Sequence, residues 1–277
     1  MSDIPIDTWD SDTFDDQLAE FLKSHAESFE KYFKEENRLK NLDPDEDRIE
    51  RLKGNLFFEK FEHIQIQVSK MLHDKPIRLW HYARLIDFEV EKFYKGIDLS
   101  TPMTMKKRLH SAQEAGHLSQ TEVEIIEKFS PFNTQLDIRT NRFWCVNAPI
   151  SVSDSGVRPL LQHWGGEAVY FHLEDELVQQ RLKTLGNARV LEISAPLRCS
   201  NLLYQISGCV LNTIALEAGF IPCSSLVDVC IKGETQKMKL LRVHTEDDDN
   251  FERIGITYPS EFEVVRQRSN RYDEQWY

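Results

Sequence analysis

The stretch PIRLWHYARLIDFEVEKFYKGI, residues 76–97, decides the fold class. Residues 77–82 are a short run of large side chains after turn-forming residues at 74–76, and this pattern predicts a strand. Residues 87–94 then have the apolar spacing of a short helix, which Gly96 closes. A strand followed directly by a helix indicates a body of mixed helix and sheet.

Strands and helices continue to alternate after this stretch. Strands are expected at residues 143–146, 188–196, 226–231, 238–243 and 262–265, and residues 167–172 read as an aromatic strand after the Gly165-Gly166 turn. Helices are expected at 157–164, 175–185 and 201–218. A helix over 102–115 and a capping box at Ser119 to Glu122 predict a helical insertion at about residues 100–130. The sequence therefore predicts an α+β fold, with a mixed-sheet body over residues 75–277.

The N-terminal region is acidic and helical. Residues 14–42 and 44–72 repeat apolar residues at spacings of three and four, and Asp43-Pro44 divides them, which predicts a helical hairpin within residues 1–74. Residues 1–50 hold 16 acidic and 6 basic residues, a net charge of −10, against −12 for the whole chain. The hairpin either packs on the body with its charges in solvent or serves as a docking arm for a partner protein. The periodicity allows both.

Composition and motifs exclude several classes of protein. The five cysteines form no CxxC pair and indicate reduced thiols of a cytoplasmic protein. The first residues lack the features of a signal peptide, and no long apolar run predicts a membrane span. The absence of GxGxxG, GxxxxGK[ST], GxSxG and HExxH argues against Rossmann dehydrogenases, P-loop NTPases, serine hydrolases of that type and zinc proteases. No metal site is expected.

Two clusters of residues combine ionisable and aromatic side chains. The first is RLWHYAR at residues 78–84, and the second is HWGGEAVYFH at residues 163–172. An ionisable group beside aromatic rings at a semi-buried strand end is expected to have a shifted pKa. The Gly165-Gly166 pair would allow the backbone to approach a ligand closely.

The order of these motifs resembles the ADP-ribosyltransferase fold shared by PARP-like enzymes and several bacterial toxins. The segment LWHYARL followed by DFEVEKFYKGI is similar to the family's His-bearing first strand and the helix after it. The segment GGEAVYFHLEDELVQQRL is similar to the Gly-x-Gly/Ala-x-Tyr-Phe motif, and SEFEVV is similar to the last strand's Glu-aromatic-x-Val. The resemblance spans residues 76–265 and departs from the family at Glu167 and in the long helical insertion.

The resemblance implies NAD as co-substrate, with no metal. It implies that His81 binds the NAD ribose, that Tyr170 stacks on nicotinamide and that Glu261 is the catalytic carboxylate, with Glu167 as the second assignment left open. The residues that would bind NAD are His81, Tyr82, Arg84, Arg142, Gly166 and Tyr170. A carboxylate suits this chemistry because cleavage of the nicotinamide glycosidic bond develops positive charge on the ribose.

The implied protein is a cytoplasmic bacterial toxin or phage-defence effector that modifies RNA or a protein and is held in check by an antitoxin or other regulatory partner. The cluster Arg139, Arg142, Phe143 and Trp144 is a candidate platform for single-stranded RNA. The alternative is a non-enzymatic protein that binds a partner through its acidic helical arm. A nucleic-acid-cleaving toxin would need a basic groove that the composition does not indicate.

Overall fold

The computed structural model describes residues 4–43, 47–222 and 225–259, which fall into two compact units. Unit 1 consists of the described residues in 4–76 and 202–227, and unit 2 of those in 77–201 and 228–259. Helices dominate unit 1, whereas a five-stranded sheet with helices forms unit 2. The α+β fold class predicted from the sequence is confirmed.

The elements are numbered in chain order. The helices are α1 (Asp16–Ser24), α2 (Ala26–Lys40), α3 (Arg48–Lys53), α4 (Phe58–Leu72), α5 (Asp87–Lys95), α6 (Pro102–Glu114), α7 (Gln120–Lys128), α8 (Leu136–Arg139), α9 (Arg158–Gln162), α10 (Glu167–Tyr170), α11 (Glu176–Thr184) and α12 (Leu203–Glu217). The strands are β1 (Pro76–Leu85), β2 (Phe143–Val146), β3 (Asn187–Pro196), β4 (Asp228–Ile231) and β5 (Lys239–Thr245). Short 3₁₀ turns lie at Ser11–Thr13, Pro131–Asn133, Leu197–Cys199, Thr235–Lys237 and Phe251–Arg253.

The core of unit 1 is the packing of α12 on α4 and α2. Buried polar groups fix this packing: Gln65 Nε2 donates to the carbonyl of Tyr204 at 2.8 Å, and the hydroxyls of Ser69 and Ser207 are 2.7 Å apart. Periodicity alone did not predict that α12, more than 120 residues later in the chain, completes the N-terminal helical unit.

Each helix predicted for the N-terminal hairpin is divided in two. The first breaks at His25, whose φ of −107° and ψ of 5° lie outside helical values, giving α1 and α2. The second breaks at Gly54, where φ is +70°, giving α3 and α4. Glycine adopts this left-handed conformation at little steric cost, so the helix ends there.

The sheet of unit 2 has the strand order β4-β2-β1-β3-β5. The pairs β1-β2, β2-β4 and β3-β5 are antiparallel, with Trp80 opposite Val146 and Val190 opposite His244. Eight consecutive residues of β3, residues 188–195, are buried. The strand lies between β1 and β5, and its buried stretch includes the polar residues Arg189, Glu192 and Ser194 beside its apolar ones.

The helices α6, α7, α10 and α11 pack around the fully buried Trp164. These helices and the segments between them contribute a cluster of apolar side chains: Met105, Leu109, Ala112, Leu118, Val123, Ile126, Val169, Leu173, Val178 and Leu182. Sequence signals for this region are confirmed, since Ser119 caps α7 and the Glu122 carboxylate accepts from the Ser119 N–H at 2.7 Å. The helical insertion therefore belongs to the core of unit 2.

The predicted strand at residues 167–172 is wrong, because Glu167–Tyr170 form helix α10. The alternation of apolar and aromatic side chains favoured a strand. The preceding glycine instead starts a helical turn, because the N–H groups of Val169 and Tyr170 donate to the Gly166 carbonyl at 2.9 and 3.2 Å. Val169 is buried in this turn. A helical turn satisfies these backbone groups and buries Val169 together.

Cysteines 145, 199, 209 and 230 are buried free thiols, as predicted, and Cys223 lies outside the described residues. No helix among the described residues is both long and apolar enough to cross a membrane. The strand predicted at residues 262–265 and the candidate carboxylate Glu261 lie outside the described residues.

Candidate functional site

The Gly165-Gly166 turn is held by a buried carboxylate. Glu89 of α5 is 4% exposed and accepts hydrogen bonds from Trp164 Nε1 and Arg108 Nε, both at 2.7 Å. The Arg108 guanidinium also lies over the Trp164 ring, 5.2 Å from its centre. Charge-assisted hydrogen bonds of this kind are among the stronger ones in proteins, so the residue before the turn has a fixed position.

The turn requires glycine at its first position. Gly165 has φ of +90°, and a Cβ there would lie 2.3 Å from Val169 Cγ2. Gly166 has φ of +67°. These left-handed conformations allow the chain to reverse and to begin α10 at Glu167.

Glu167 is the exposed carboxylate that the turn presents. Its side chain is 49% exposed and accepts from Arg139 Nη1 at 3.0 Å, while the Arg139 side chain is only 17% exposed. The Arg139 guanidinium also lies over the Phe171 ring, 4.9 Å from its centre. The result is an anion and a cation side by side, accessible to solvent and bordered by an aromatic ring.

Asp228, at the start of β4, is a second carboxylate, and its pKa depends on the charge of Glu167. Burial of the carboxyl, followed by the charge of Glu167, raises the pKa of Asp228 above its ordinary value. Two carboxyl groups that interact in this way favour a proton on one of them. Asp228 therefore takes up a proton more readily than an ordinary aspartate.

Tyr170 and His163 form an aromatic pair next to Glu167. Their ring centres are 4.9 Å apart, and their planes are inclined by 37°. Burial, followed by the charge of Glu167, raises the pKa of the Tyr170 hydroxyl, and burial lowers the pKa of His163. At neutral pH both rings are uncharged, so the pair offers an aromatic surface rather than a charge.

His81 lies on β1 within another aromatic group. Its ring centre is 4.5 Å from that of Phe143, and its Nδ1 is 2.7 Å from the Trp144 carbonyl. Burial, with a smaller contribution from the charge of Arg108, lowers the pKa of His81 to about 4. His81 is neutral near pH 7 and acts through hydrogen bonding. The charge of Arg108 contributes to the lowered pKa of His81, and Arg108 also donates weakly to the Gly165 carbonyl at 3.4 Å. Arg108 therefore connects the His81 group with the turn before Glu167.

Tyr82 and Arg84 contact structural backbone groups. The buried Tyr82 hydroxyl donates to the Ile150 carbonyl at 2.7 Å, and Arg84 donates to the carbonyls of Leu185 and Gly186 at 3.0 and 2.7 Å. Side chains at neighbouring strand positions point to opposite faces, so His81 and Tyr82 face different sides of the sheet. The Arg84 backbone pairs with that of Trp164, just before the Gly165-Gly166 turn, and the Arg84 guanidinium is held by the carbonyls of Leu185 and Gly186 rather than by Glu167.

Arg142 lies just after α8. Its Nη2 donates to the Asp137 carbonyl at 3.3 Å and its Nη1 contacts Cys230 Sγ at 3.7 Å. Its buried Nε has no hydrogen-bond partner among the described residues, and the same holds for the Thr140 hydroxyl. Both groups follow Arg139 within three residues, and unpaired buried donors are costly unless a ligand or water satisfies them.

One ionic cluster in the sheet was missed by sequence reasoning. The Glu192 carboxylate of β3, 2% exposed, accepts from His244 Nε2 at 2.7 Å and forms an ion pair with Arg78. The Tyr258 hydroxyl donates to the same carboxylate at 3.3 Å. A single signal was available in the sequence, namely a glutamate between the apolar residues Val190-Leu191 and Ile193 in the strand RVLEISAP.

Among the described residues, no cluster of three or more His, Cys, Asp or Glu side chains has the arrangement needed to bind a metal ion. The structure thus pairs Glu167 with Arg139 and places Tyr170 on the same helical turn as Glu167. The charge of Glu167 also raises the pKa of Asp228, and the charge of Arg108 contributes to the lowered pKa of His81. Comparison with protein-family models, curated proteins and solved structures found no match to the chain.

Proposed function

We propose that the chain is an NAD-dependent ADP-ribosyltransferase, with Glu167 as its catalytic carboxylate. The observation that carries the proposal is the Glu167-Arg139 pair, half exposed after a rigid Gly-Gly turn and next to the Tyr170 ring. An anion, a cation and an aromatic face are the three groups needed for the ribose cation, the pyrophosphate and the nicotinamide ring of NAD.

The proposed reaction breaks the bond between ribose C1′ and the nicotinamide nitrogen. Nicotinamide leaves with the bonding electrons as a neutral molecule, and the Glu167 carboxylate stabilises the positive charge that develops on the ribose. A nucleophilic oxygen or nitrogen of the acceptor then bonds to C1′. Its proton passes to Asp228, the carboxylate with the raised pKa.

The other residues have binding roles in this proposal. The guanidinium of Arg139 supplies donors for the pyrophosphate, with Arg142 three residues later in the chain, and Tyr170 stacks on the nicotinamide ring. His81, neutral at pH 7, binds a ribose hydroxyl. The acceptor in this proposal is a macromolecule. The protein acts in the cytoplasm as a bacterial toxin or phage-defence effector, and an antitoxin or other protein inhibits it.

The test is nicotinamide release from NAD by the purified full-length chain. Glu167→Gln should reduce release by about 100-fold or more, since it removes a charge that acts in the transition state. Glu91→Gln on α5, an exposed glutamate of the same unit, is the matched control and should retain activity. Glu261→Gln, measured in parallel, tests the other assignment of the carboxylate.

Melting temperatures of all variants verify folding. The Glu167 pair is surface-exposed, so its loss should change stability by less than about 1 kcal/mol. Equal release by wild type and Glu167→Gln would reject Glu167 as the carboxylate. The absence of release from a folded wild type, with and without cell extract as a source of acceptor, would reject the activity.

A second candidate function, partner binding by the N-terminal unit, is favoured by a specific observation. Helix α3 has no buried residue, and large apolar side chains within and after it are exposed: Ile49, Leu52, Leu56 and Phe58. Such exposed apolar groups are common at protein-binding surfaces. Under this alternative, Leu52→Asp with Leu56→Asp abolishes biological activity in cells, while Glu167→Gln does not.

A further inference from the structure

The residues around the first half of β5 form a basic region, although the net charge of the chain is −12. Residues 77–82, 190–200 and 231–244 are brought together by the strand order β1-β3-β5 and by the Lys232 N–H, which donates to the Cys199 carbonyl at 2.8 Å. Their cationic side chains are Arg78, Arg198, Lys232, Lys237, Lys239 and Arg242, and their carboxylates are Glu192 and Glu234. The formal charge of these three segments is therefore +4. The acidic residues 246–249 follow beyond the other end of β5.

A bulge in β5 places Lys239 and Arg242 on the same face of the sheet. Arg242 lies opposite Glu192 of β3 and Lys239 lies opposite Ser194, with a shift of register between the two pairs. Residues two apart on a strand share a face, and residues directly opposite each other in an antiparallel pair have Cβ atoms about 5 Å apart on that face. The two cations therefore lie side by side along β3, although three positions separate them in the chain. Bulges commonly redirect side chains in this way.

Arg78 of β1 reaches the same face. It forms an ion pair with Glu192, which is 2% exposed, so the one carboxylate on this face is already compensated. Burial raises the pKa of the Tyr258 hydroxyl, and the charges of Arg242 and Arg78 oppose this effect, so both guanidinium groups lie near the same hydroxyl. We name Arg78, Lys239 and Arg242 the cationic strip.

Two cations of the strip are available to a ligand. Lys239 and Arg242 are exposed, and neither forms an ion pair with another described residue. Arg242 Nη1 donates to the Tyr258 hydroxyl at 2.9 Å, and its guanidinium lies 5.7 Å from the centre of the Tyr258 ring. These contacts hold the guanidinium in place and leave its other donors unused.

Ser194 adds a buried hydroxyl between these cations. The residue is 6% exposed, and its hydroxyl forms no hydrogen bond with another described residue. A buried hydroxyl without a partner costs free energy unless a ligand or water satisfies it. Because Lys239 is the residue opposite Ser194, an anion held by the lysine is within reach of this hydroxyl. The unpartnered hydroxyl and the two cations are all donors, which is the set that an oxyanion requires.

We propose that Ser194, Lys239 and Arg242 bind a phosphate group of a small phosphorylated molecule. Arginine offers a planar pair of donors to phosphate oxygens, and lysine offers a compact charge. The strip is on β5, whereas Asp228 is on β4 at the opposite edge of the sheet, four strand spacings or about 19 Å away. The phosphate site is therefore separate from the candidate NAD site and does not depend on the proposed function.

The aromatic residues argue against single-stranded nucleic acid as the ligand. Such ligands are usually held by several exposed rings beside basic groups. Next to the strip, the Tyr258 ring is already covered by Arg242. In the cluster considered for RNA, on β2, Phe143 is 7% exposed and packs against His81, which leaves Trp144 as the exposed ring.

The test is calorimetric titration of the full-length chain with inorganic pyrophosphate at low ionic strength, since salt screens exposed charges. Lys239→Gln should weaken binding about tenfold by removing a charge-assisted hydrogen bond, and Ser194→Ala should weaken it about fivefold. Lys107→Gln is the matched control, because it removes the same charge from an exposed position on α6 of the same unit. It should bind as the wild type does. Melting temperatures verify that each variant is folded.

Four outcomes would overturn the inference. A folded wild type that binds no pyrophosphate has no such site. Equal weakening by Lys239→Gln and Lys107→Gln would mean that overall charge, and not this site, holds the probe. Binding that is lost in Arg139→Gln but kept in Lys239→Gln would place the probe at the candidate NAD site. Displacement of the probe by a single-stranded RNA of about 20 nucleotides that binds more tightly than pyrophosphate would make the strip a nucleic-acid surface.

Discussion

Replacing Glu192 with glutamine should lower the free energy of unfolding of unit 2 by about 3–5 kcal/mol, the cost of removing one member of a buried ion pair. The Glu192 carboxylate is 2% exposed and accepts from Arg78, His244 and Tyr258. Glutamine has nearly the same shape, so little packing is lost. The cost arises because the partly buried Arg78 guanidinium loses the charge of Glu192.

The control is Glu246→Gln, which removes a carboxylate that follows β5 in the same unit. Glu246 is 36% exposed and lies 3.6 Å from Arg84, so its loss should cost less than about 1 kcal/mol. Urea unfolding followed by far-ultraviolet circular dichroism measures both values, and hydrogen exchange of the β3 and β5 amides assigns the loss to unit 2.

The effect of Glu192 should also depend on pH. Burial opposes ionisation, but hydrogen bonds from His244 and the charge and hydrogen bond of Arg78 outweigh it and lower the pKa of Glu192. A carboxyl group with a lowered folded-state pKa stabilises the protein above its unfolded pKa, about 4.3, and loses that contribution as the pH falls through the folded pKa. The difference between wild type and Glu192→Gln should therefore shrink below about pH 4. A loss under about 1 kcal/mol at pH 7, or a difference that grows in acid, would refute the reasoning.

Three further predictions concern single residues. The pKa of His81 is lowered to about 4, so the unfolded state binds more protons than the folded state between about pH 4 and 6.5. His81 therefore destabilises the fold in acid, and His81→Asn should remove up to about 3 kcal/mol of this destabilisation in that pH range. The measurement is the urea midpoint as a function of pH, which should change less with pH in the variant. Gly186→Ala should cost well above 2 kcal/mol, because its Cβ would lie 2.2 Å from the Leu85 carbonyl oxygen, whereas Gly116→Ala, also at positive φ but in open space, should cost about 1–2 kcal/mol by the same unfolding assay. Ser119→Ala should cost about 1 kcal/mol by removing the cap of α7, and an unchanged melting temperature would contradict this.

Local signals explain the elements that could be predicted from the sequence. Strand β2 was predicted with its observed bounds, Phe143–Val146, and the capping box at Ser119 begins α7. Each depends on side chains within a few residues of one another. The α+β class follows because such signals alternate along residues 76–245.

Features that depend on distant contacts could not be predicted in the same way. Helix α12 packs on α4, more than 120 residues earlier, and its periodicity does not specify which surface it meets. The partners of Glu192 come from residues 78, 244 and 258, on both sides of it in the chain. At α10 a local pattern was present but misleading. The alternating side chains of residues 167–172 favoured a strand, whereas the segment forms a helical turn that begins after Gly166.

The candidate site was predicted in part for a related reason. Glu167 and Tyr170 are neighbours on α10, so a single motif identified both, whereas Arg139 and Asp228 reach Glu167 from α8 and β4 through the fold. Sequence reasoning proposed Arg142 and Arg84 as the cations instead. Arg139 is the last residue of a four-residue helix, and no motif distinguishes it from the arginine three residues later.

The candidate site combines buried side chains in fixed positions with one exposed carboxylate. Glu89, Arg108 and Trp164 are tied together beneath the Gly165-Gly166 turn, and each has a partner that fixes its position. Glu167, by contrast, remains half exposed and is paired with one cation. In the proposed reaction, the carboxylate would face the ribose cation from a backbone position that these buried groups already fix. A preorganised anion of this kind is what stabilisation of a short-lived cation requires, since the protein then spends no energy on orienting the charge during the reaction.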